Sequence, residues 1–131
     1  YYLKTDDKSV ELRAKYLDLL TFMLDKAGYE DAAGEAQKVL DLETSIAKAD
    51  WDRALSRNPE ITYNKVTRDE LVDMAGDFPL IRAFNTMGVG GEKDFLVAEV
   101  PPTQEELDAA GISAEDAAKP GGGFPAMVDL G

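Results

Sequence analysis

The sequence contains no histidine and no cysteine. Without a thiol, disulfide bonds, thiol catalysis and thiolate zinc sites are excluded. Without an imidazole, the usual nucleophile–base pairs and the H-E-x-x-H zinc motif are excluded as well. No apolar run approaches the roughly 20 residues that a membrane-spanning helix needs. Carboxylates, serines, tyrosines and lysines therefore remain as the side chains that could carry chemistry.

Positive charge is also scarce. The sequence has 14 Lys and Arg residues and 26 Asp and Glu residues, which gives a net charge of -12. A chain with no basic face is a poor ligand for the phosphate backbone of nucleic acid or for an acidic membrane surface. We interpret the carboxylates as solvated helix faces, with a preference for basic peptides as the alternative. The length of 131 residues and the 44% of hydrophobic residues predict one modest globular domain.

Apolar residues recur at helical spacing in two long segments of the first half. The pattern from Ser9 to Ala27 predicts an amphipathic helix, and Gly28 supplies the left-handed conformation that ends it. A second, longer helix is predicted from Glu30 to Leu55. Pro59 follows it and cannot continue a helix, so we expect a short loop there.

Glu43 is the most informative single charge, because it falls on the apolar stripe of the second predicted helix, as Asp50 does. A carboxylate on such a face needs a partner or a shifted protonation state. We expect an internal ion pair that fixes the helix register, with Arg53, Arg57 or Arg68 as the partner. A polar anchor facing a substrate chamber is the alternative.

Helix caps define the second half of the chain. Thr67 with Glu70, and Thr103 with Glu106, each have the spacing of a capping box, and they predict helices to about Ala75 and Ala110. Asp77 is predicted to cap a further helix, which ends at Gly88.

The fold class expected from these elements is mostly α, with amphipathic helices packed as an orthogonal or antiparallel bundle. At most one short strand is predicted, at Asp94 to Val100, where β-branched residues precede two prolines. We expect residues 1–119 to form the helical region, and residues 120–131 to form a glycine-rich loop and the truncated start of a further element.

The other groups of residues that could form a binding site are better explained by structural roles. Asp50-Trp51-Asp52 places an aromatic ring beside two acids, as in some sugar sites, but we interpret Trp51 as a packing residue. The glycine runs at 88–91 and 121–123 do not follow a strand and open a helix, so we interpret them as turn and linker rather than phosphate cradles. No segment has the acidic pattern of a calcium loop.

A set of separated motifs occurs in one order: Tyr1-Tyr2, Leu42-Glu43 with Ile46-Ala47, Arg57 with Pro59, and Tyr63-Asn64 with Thr67. This order resembles the N-terminal, non-catalytic helical region of the neprilysin-like (M13 family) zinc metalloendopeptidases. The resemblance is good from about Tyr1 to Phe84 and loose beyond it.

The resemblance implies a parent protein that hydrolyses peptides with a zinc ion held elsewhere in its chain. This stretch would then pack against the catalytic lobe, wall the substrate chamber and limit substrate size. It implies an extracytoplasmic location, periplasmic, secreted or surface-anchored, and the missing cysteines resemble a bacterial-type member. No catalytic or zinc-binding role transfers to any residue here, and this region itself binds no cofactor.

The family-motif residues Glu43, Arg57, Tyr63, Asn64 and Thr67 are expected to be structural. Tyr63 offers an apolar ring with a hydroxyl, Asn64 can bond neighbouring backbone, and Thr67 caps the next helix, which together suit a latch. Direct substrate contact is the alternative role.

A second hypothesis is a free-standing acidic helical scaffold for protein–protein interaction. No second copy of its helix pair occurs at a repeat period, and repeat folds need several copies. Because the sequence begins without an initiator methionine or a signal-peptide pattern, we expect it to be an excerpt from a longer protein.

Overall fold

The computed structural model describes residues 1–51, 55–117 and 123–128. They belong to two compact units, Tyr1–Lys48 and Ala49–Gly131. Helices dominate both units, so the prediction of a mostly α fold is confirmed. No helix in the described ranges is both long and apolar enough to cross a membrane.

The first unit is a pair of helices, α1 (Asp7–Lys26) and α2 (Ala32–Ala49). Asp6 caps α1, since its carboxylate accepts hydrogen bonds from the Ser9 backbone nitrogen at 3.0 Å and the Ser9 hydroxyl at 2.7 Å. These bonds to Ser9 lower the pKa of Asp6. Gly28 adopts a φ of 90°, which a residue with a Cβ rarely adopts, and it reverses the chain as predicted.

The inner face of the pair is only partly apolar. Ala36 is completely buried, and Leu17, Leu20 and Leu24 of the predicted stripe are half-buried. Val10, which belongs to the same predicted stripe, is 51% exposed. Small residues on α2 therefore supply the buried part of this unit.

The second unit contains the remaining elements: a 3₁₀ turn Leu55–Arg57, α3 (Pro59–Thr62), β1 (Asn64–Thr67), α4 (Arg68–Ala75), α5 (Leu80–Met87), β2 (Asp94–Val97), α6 (Gln104–Ala109), α7 (Ala114–Ala117) and α8 (Gly123–Val128). Both predicted capping boxes are present, at the start of α4 and at the start of α6.

A two-stranded antiparallel sheet joins β1 to β2, with Asn64 opposite Val97 and Val66 opposite Phe95. The sequence predicted β2 but not its partner, so the expectation of at most one strand missed β1. Four residues between a short helix and a capping threonine are too few to show an alternating pattern. Only the pairing with β2 makes this segment a strand.

The main core of the second unit lies between the sheet and the helices α4 and α5, which follow β1 in the chain. Its buried residues are Val66, Leu71, Ala75, Leu80, Phe84 and Val97. The ring of Phe84 stacks on that of Phe95, with centroids 4.7 Å apart and planes inclined by 11°. A smaller buried cluster joins Trp51, Leu55 and Ile61.

The second predicted helix was too long. It ends at Ala49 rather than Leu55, and Leu55 opens a separate 3₁₀ turn. Pro59 begins the short helix α3, which Asn58 caps by accepting from the Glu60 backbone nitrogen at 3.0 Å. Proline is tolerated at a first helical position because the nitrogen there needs no partner.

Asp77 does not cap α5, contrary to the prediction. The helix begins at Leu80 after Pro79, with no side-chain cap. A capping oxygen must reach a backbone N–H two or three residues on. From Asp77 these positions are Pro79, which has no N–H, and Leu80, whose N–H bonds the Phe78 carbonyl at 2.7 Å. Of the glycine-rich loop predicted at residues 120–123, residues 120–122 lie outside the described residues, as do Asp52 and Arg53. Gly123 does not belong to a loop as predicted, because it begins α8.

Candidate functional site

The family-motif residues are divided between the two units. Glu43 belongs to the first unit, whereas Arg57, Tyr63, Asn64 and Thr67 belong to the second. Each group is therefore described in its own unit.

Glu43 lies half-buried on α2 and binds two tyrosine hydroxyls. Tyr2 donates to its Oε2 at 3.0 Å and Tyr16 donates to its Oε1 at 2.8 Å. Among the described residues, the partners of Glu43 are thus two neutral donors from its own unit, and Arg53, one of the arginines predicted as its partner, lies outside the described residues. A phenol satisfies a carboxylate without the cost of burying a second charge.

This cluster shifts the titration of both phenols. Burial, and then the hydrogen bond to Glu43, raise the pKa of Tyr2 to about 12. The hydrogen bond to Glu43 is the main cause that raises the pKa of Tyr16. Removing a proton from either phenol would place a second negative charge beside Glu43. The cluster therefore holds both tyrosines in their neutral, hydrogen-donating form.

The segment that carries Tyr2 is tied to α1 by Arg13. Its Nη1 donates to the carbonyl of Tyr1 at 3.0 Å and to that of Lys4 at 2.7 Å. Two carbonyls on either side of Tyr2 are thereby fixed to one guanidinium. No periodic pattern in the sequence indicates this contact, because residues 1–5 precede the helix.

Asn64 joins three elements of the second unit. Its side-chain amide donates to the carbonyl of Ile61 in α3 and to the carbonyl of Val97 in β2, both at 3.0 Å. Both protons of the amide are used, so only an amide, and not a carboxylate, can make this pair of bonds.

Thr67 and Glu70 make the capping box of α4. Glu70 Oε2 accepts from the Thr67 backbone nitrogen at 2.7 Å, and the Thr67 hydroxyl accepts from the Glu70 backbone nitrogen at 3.3 Å. The Thr67 backbone N–H, followed by its hydroxyl, lowers the pKa of Glu70. Two otherwise unpaired helix N–H groups are thus satisfied.

The other two motif residues of this unit face outward. Tyr63 is 68% exposed and lines a shallow depression with Lys65 and Leu96. Arg57 closes the 3₁₀ turn and is also exposed.

An open cavity of about 480 Å³ is lined in part by core residues of the second unit, including Leu71 and Val97, and the sequence did not point to it. Its apolar lining includes Leu80, Phe84, Phe95, Phe124 and Met127. Two carboxylates, Asp50 and Glu99, complete the lining. The sequence drew attention to Asp50 as an acid on an apolar stripe, but nothing local distinguished Glu99.

Glu99 is held by backbone contacts from two directions. Its Oε2 accepts from the Trp51 backbone nitrogen at 3.0 Å, and its own carbonyl accepts from the Phe124 nitrogen at 2.6 Å. Gly123, at a φ of 61°, packs against that carbonyl so closely that a Cβ would collide with it. Burial is the main cause that raises the pKa of Glu99; the Trp51 N–H opposes the shift, and the hydrogen bond and charge of Asp50 add to it.

The donor set of the chain does not fit a zinc ion. Histidine and cysteine are absent from the sequence. Across the described ranges, carboxylates nowhere gather in a group of three that could hold a metal. Asp50 and Glu99 are a pair, short of the three protein ligands of a catalytic zinc site.

Comparison with known proteins identifies the class. The family model of peptidase family M13, in its N-terminal part, matches residues 1–115. No curated protein and no solved structure matches the chain. Since the matched region covers most of the sequence, the chain belongs to peptidase family M13, and its resemblance to the N-terminal region of that family is confirmed.

Proposed function

We propose that this chain is the non-catalytic helical lobe of a zinc metalloendopeptidase. In this role it walls the chamber in which peptides are cleaved, limits the size of the substrates and supplies no catalytic group. The match to peptidase family M13 over residues 1–115 is the observation that carries the proposal. The lack of any histidine or cysteine supports the assignment of zinc and its chemistry to another part of the protein.

Exposed apolar side chains on the first unit support the proposal that another part of the protein packs against it. Leu12, Leu19 and Met23 are 48%, 52% and 57% exposed, and their spacing places them on one face of α1. Phe22 beside them is 59% exposed. Contiguous apolar surface of this kind marks a protein contact. In the proposed function it packs against the catalytic lobe of the same protein.

The family-motif residues act structurally in this proposal. Glu43 anchors the N-terminal segment through Tyr2, and Asn64 and Thr67 fasten the start and end of β1. Their side-chain atoms are engaged within the chain, which favours a latch over substrate contact. The proposed extracytoplasmic location rests on the family match, and the proposed bacterial type rests on the lack of cysteine.

Photochemical cross-linking in the intact protein tests the chamber role. A zinc-chelating peptide inhibitor that carries benzoylphenylalanine is irradiated in the bound state, and the linked residues are mapped by mass spectrometry. We expect cross-links within residues 1–131, suppressed by an excess of the same inhibitor without the photoreactive group. Cross-links confined to the rest of the protein would contradict a chamber-wall role.

A further inference from the structure

The cavity beside Asp50 and Glu99 has the features of a binding site that the family motif does not include. At about 480 Å³ it falls within the roughly 300–1,000 Å³ of small-ligand pockets. Its apolar lining is aromatic and aliphatic, and it includes the stacked rings of Phe84 and Phe95. Its only ionisable lining groups within the described residues are the two carboxyl groups.

Of the two acids, Glu99 is half-buried and held in place, whereas Asp50 is exposed and lies beside it. Glu99 is held by the Trp51 N–H through its side chain and by the Phe124 N–H through its carbonyl. Asp50 lies within hydrogen-bonding reach of Glu99. Two like charges at this separation repel each other, and a cation placed between them would relieve that repulsion. Negative charge beside an apolar lining is thus complementary to a cation on an apolar stem.

We propose that this cavity binds the side chain of a lysine or arginine residue of a peptide, with its methylene stem on Phe84, Phe95 and Met127 and its cationic end at Asp50 and Glu99. Long cationic side chains bury their stems on apolar surface while the charged end seeks a carboxylate. The peptide nature of the ligand rests on the proposed function. The cationic side chain follows from the cavity alone.

A bare metal ion is a weaker fit for the same site. Two carboxylates give too few ligands for zinc, and the aromatic lining offers no oxygen donors to a calcium ion. A neutral apolar ligand would bring no positive charge to the two acids. Only the cationic side chain uses both parts of the cavity.

Titration of the isotopically labelled chain with Ac-Ala-Arg-Ala-NH₂ tests the site. The peptide has one charge, and the matched peptide with citrulline in place of arginine keeps the shape without it. The backbone amide of Trp51, the single tryptophan of the sequence, reports on Glu99 directly. We expect its resonance and the Met127 methyl resonance to shift on titration, with affinity for the arginine peptide about tenfold above that for the citrulline peptide.

Substitutions of the two acids test whether the arginine peptide binds at this cavity. Asp50→Asn and Glu99→Gln keep the shape of each side chain, and the Gln oxygen can still accept from the Trp51 N–H. We expect each to weaken binding of the arginine peptide about tenfold. Asp73→Asn on the exposed face of α4 removes the same charge and should leave binding unchanged.

Any of three results would contradict the proposed binding site. The first is no resonance shift at Trp51 or Met127 up to millimolar peptide, and the second is equal affinity for the arginine and citrulline peptides. The third is a loss of affinity with Asp73→Asn equal to that with Asp50→Asn or Glu99→Gln. Failure of the proposed function is separately visible. Peptide binding at the cavity without inhibitor cross-links in residues 1–131 would retain the site and reject the chamber role. Inhibitor cross-links in residues 1–131 without peptide binding at the cavity would retain the chamber role and reject the site.

Discussion

Replacing Asn64 by alanine should destabilise the second unit well beyond what a strand substitution normally costs. The amide donates to the carbonyls of Ile61 and Val97 at 3.0 Å each, and the residue is half-buried. Each such bond contributes about 1 kcal/mol net, so losing both lowers the free energy of unfolding by about 2 kcal/mol. For a domain of this size, 1 kcal/mol moves Tm by roughly 4–8 °C, so we expect a decrease of about 8–16 °C.

Lys65→Ala is the matched control, because Lys65 is the next residue of β1 and is exposed. Its ion pair with Asp94 spans 3.6 Å between exposed side chains and contributes at most about 1 kcal/mol. Urea unfolding followed by circular dichroism gives both values. Asn64→Asp should be worse than Asn64→Ala, since a carboxylate would face two carbonyl oxygens. An Asn64→Ala variant within about 0.5 kcal/mol of Lys65→Ala would refute the latch reasoning.

Three further predictions concern the caps, the core and the tyrosine cluster. Thr67→Ala should lower the free energy of unfolding by about 1 kcal/mol through loss of the α4 cap, and Thr67→Ser should restore most of it. Phe84→Ala should cost about 3–5 kcal/mol by urea unfolding, because the ring is 8% exposed and stacks on Phe95. The raised pKa of Tyr2, about 12, gives stability that is complete below pH 10 and is lost as pH rises toward 12, so unfolding followed between pH 9 and 11.5 should show a decline that Tyr2→Phe reduces.

Each of these three predictions has a result that would contradict it. An unchanged unfolding midpoint in Thr67→Ala would show that the cap is dispensable. A cost below about 1 kcal/mol for Phe84→Ala would place the ring outside the core. A pH profile identical in the native chain and in Tyr2→Phe would remove Tyr2 from the high-pH transition.

Local signals predicted the helix caps well and the long-range contacts poorly. The capping boxes at Thr67 and Thr103 depend on residues three apart, and both are present as predicted. The stop at Gly28 depends on one residue's conformational freedom and was also predicted correctly. The prediction that Asp77 caps α5 was wrong because the capping rule does not consider whether the required backbone N–H groups are available. Pro79 has no N–H, so one of them is missing.

The candidate sites show the same division. Glu43 was predicted to need a partner, but its two tyrosine partners lie 41 and 27 positions away in the sequence, where no spacing rule could identify them. Glu99 meets Trp51 across 48 positions, a separation over which no spacing rule operates. The strand β1 was missed for a related reason, since its identity depends on β2. The order of family motifs was the one long-range signal in the sequence, and it led to the correct family.

The most direct test of a non-catalytic lobe in a zinc peptidase is peptide hydrolysis by this purified chain and by the intact protein, each with equimolar zinc. A library of quenched fluorescent peptides serves as substrate, and a metal chelator serves as the control. The intact protein should cleave peptides and lose that activity with the chelator, while residues 1–131 alone should release no fluorescence above buffer. Chelator-sensitive hydrolysis by the chain alone, or an intact protein that cleaves no peptide, would contradict the account.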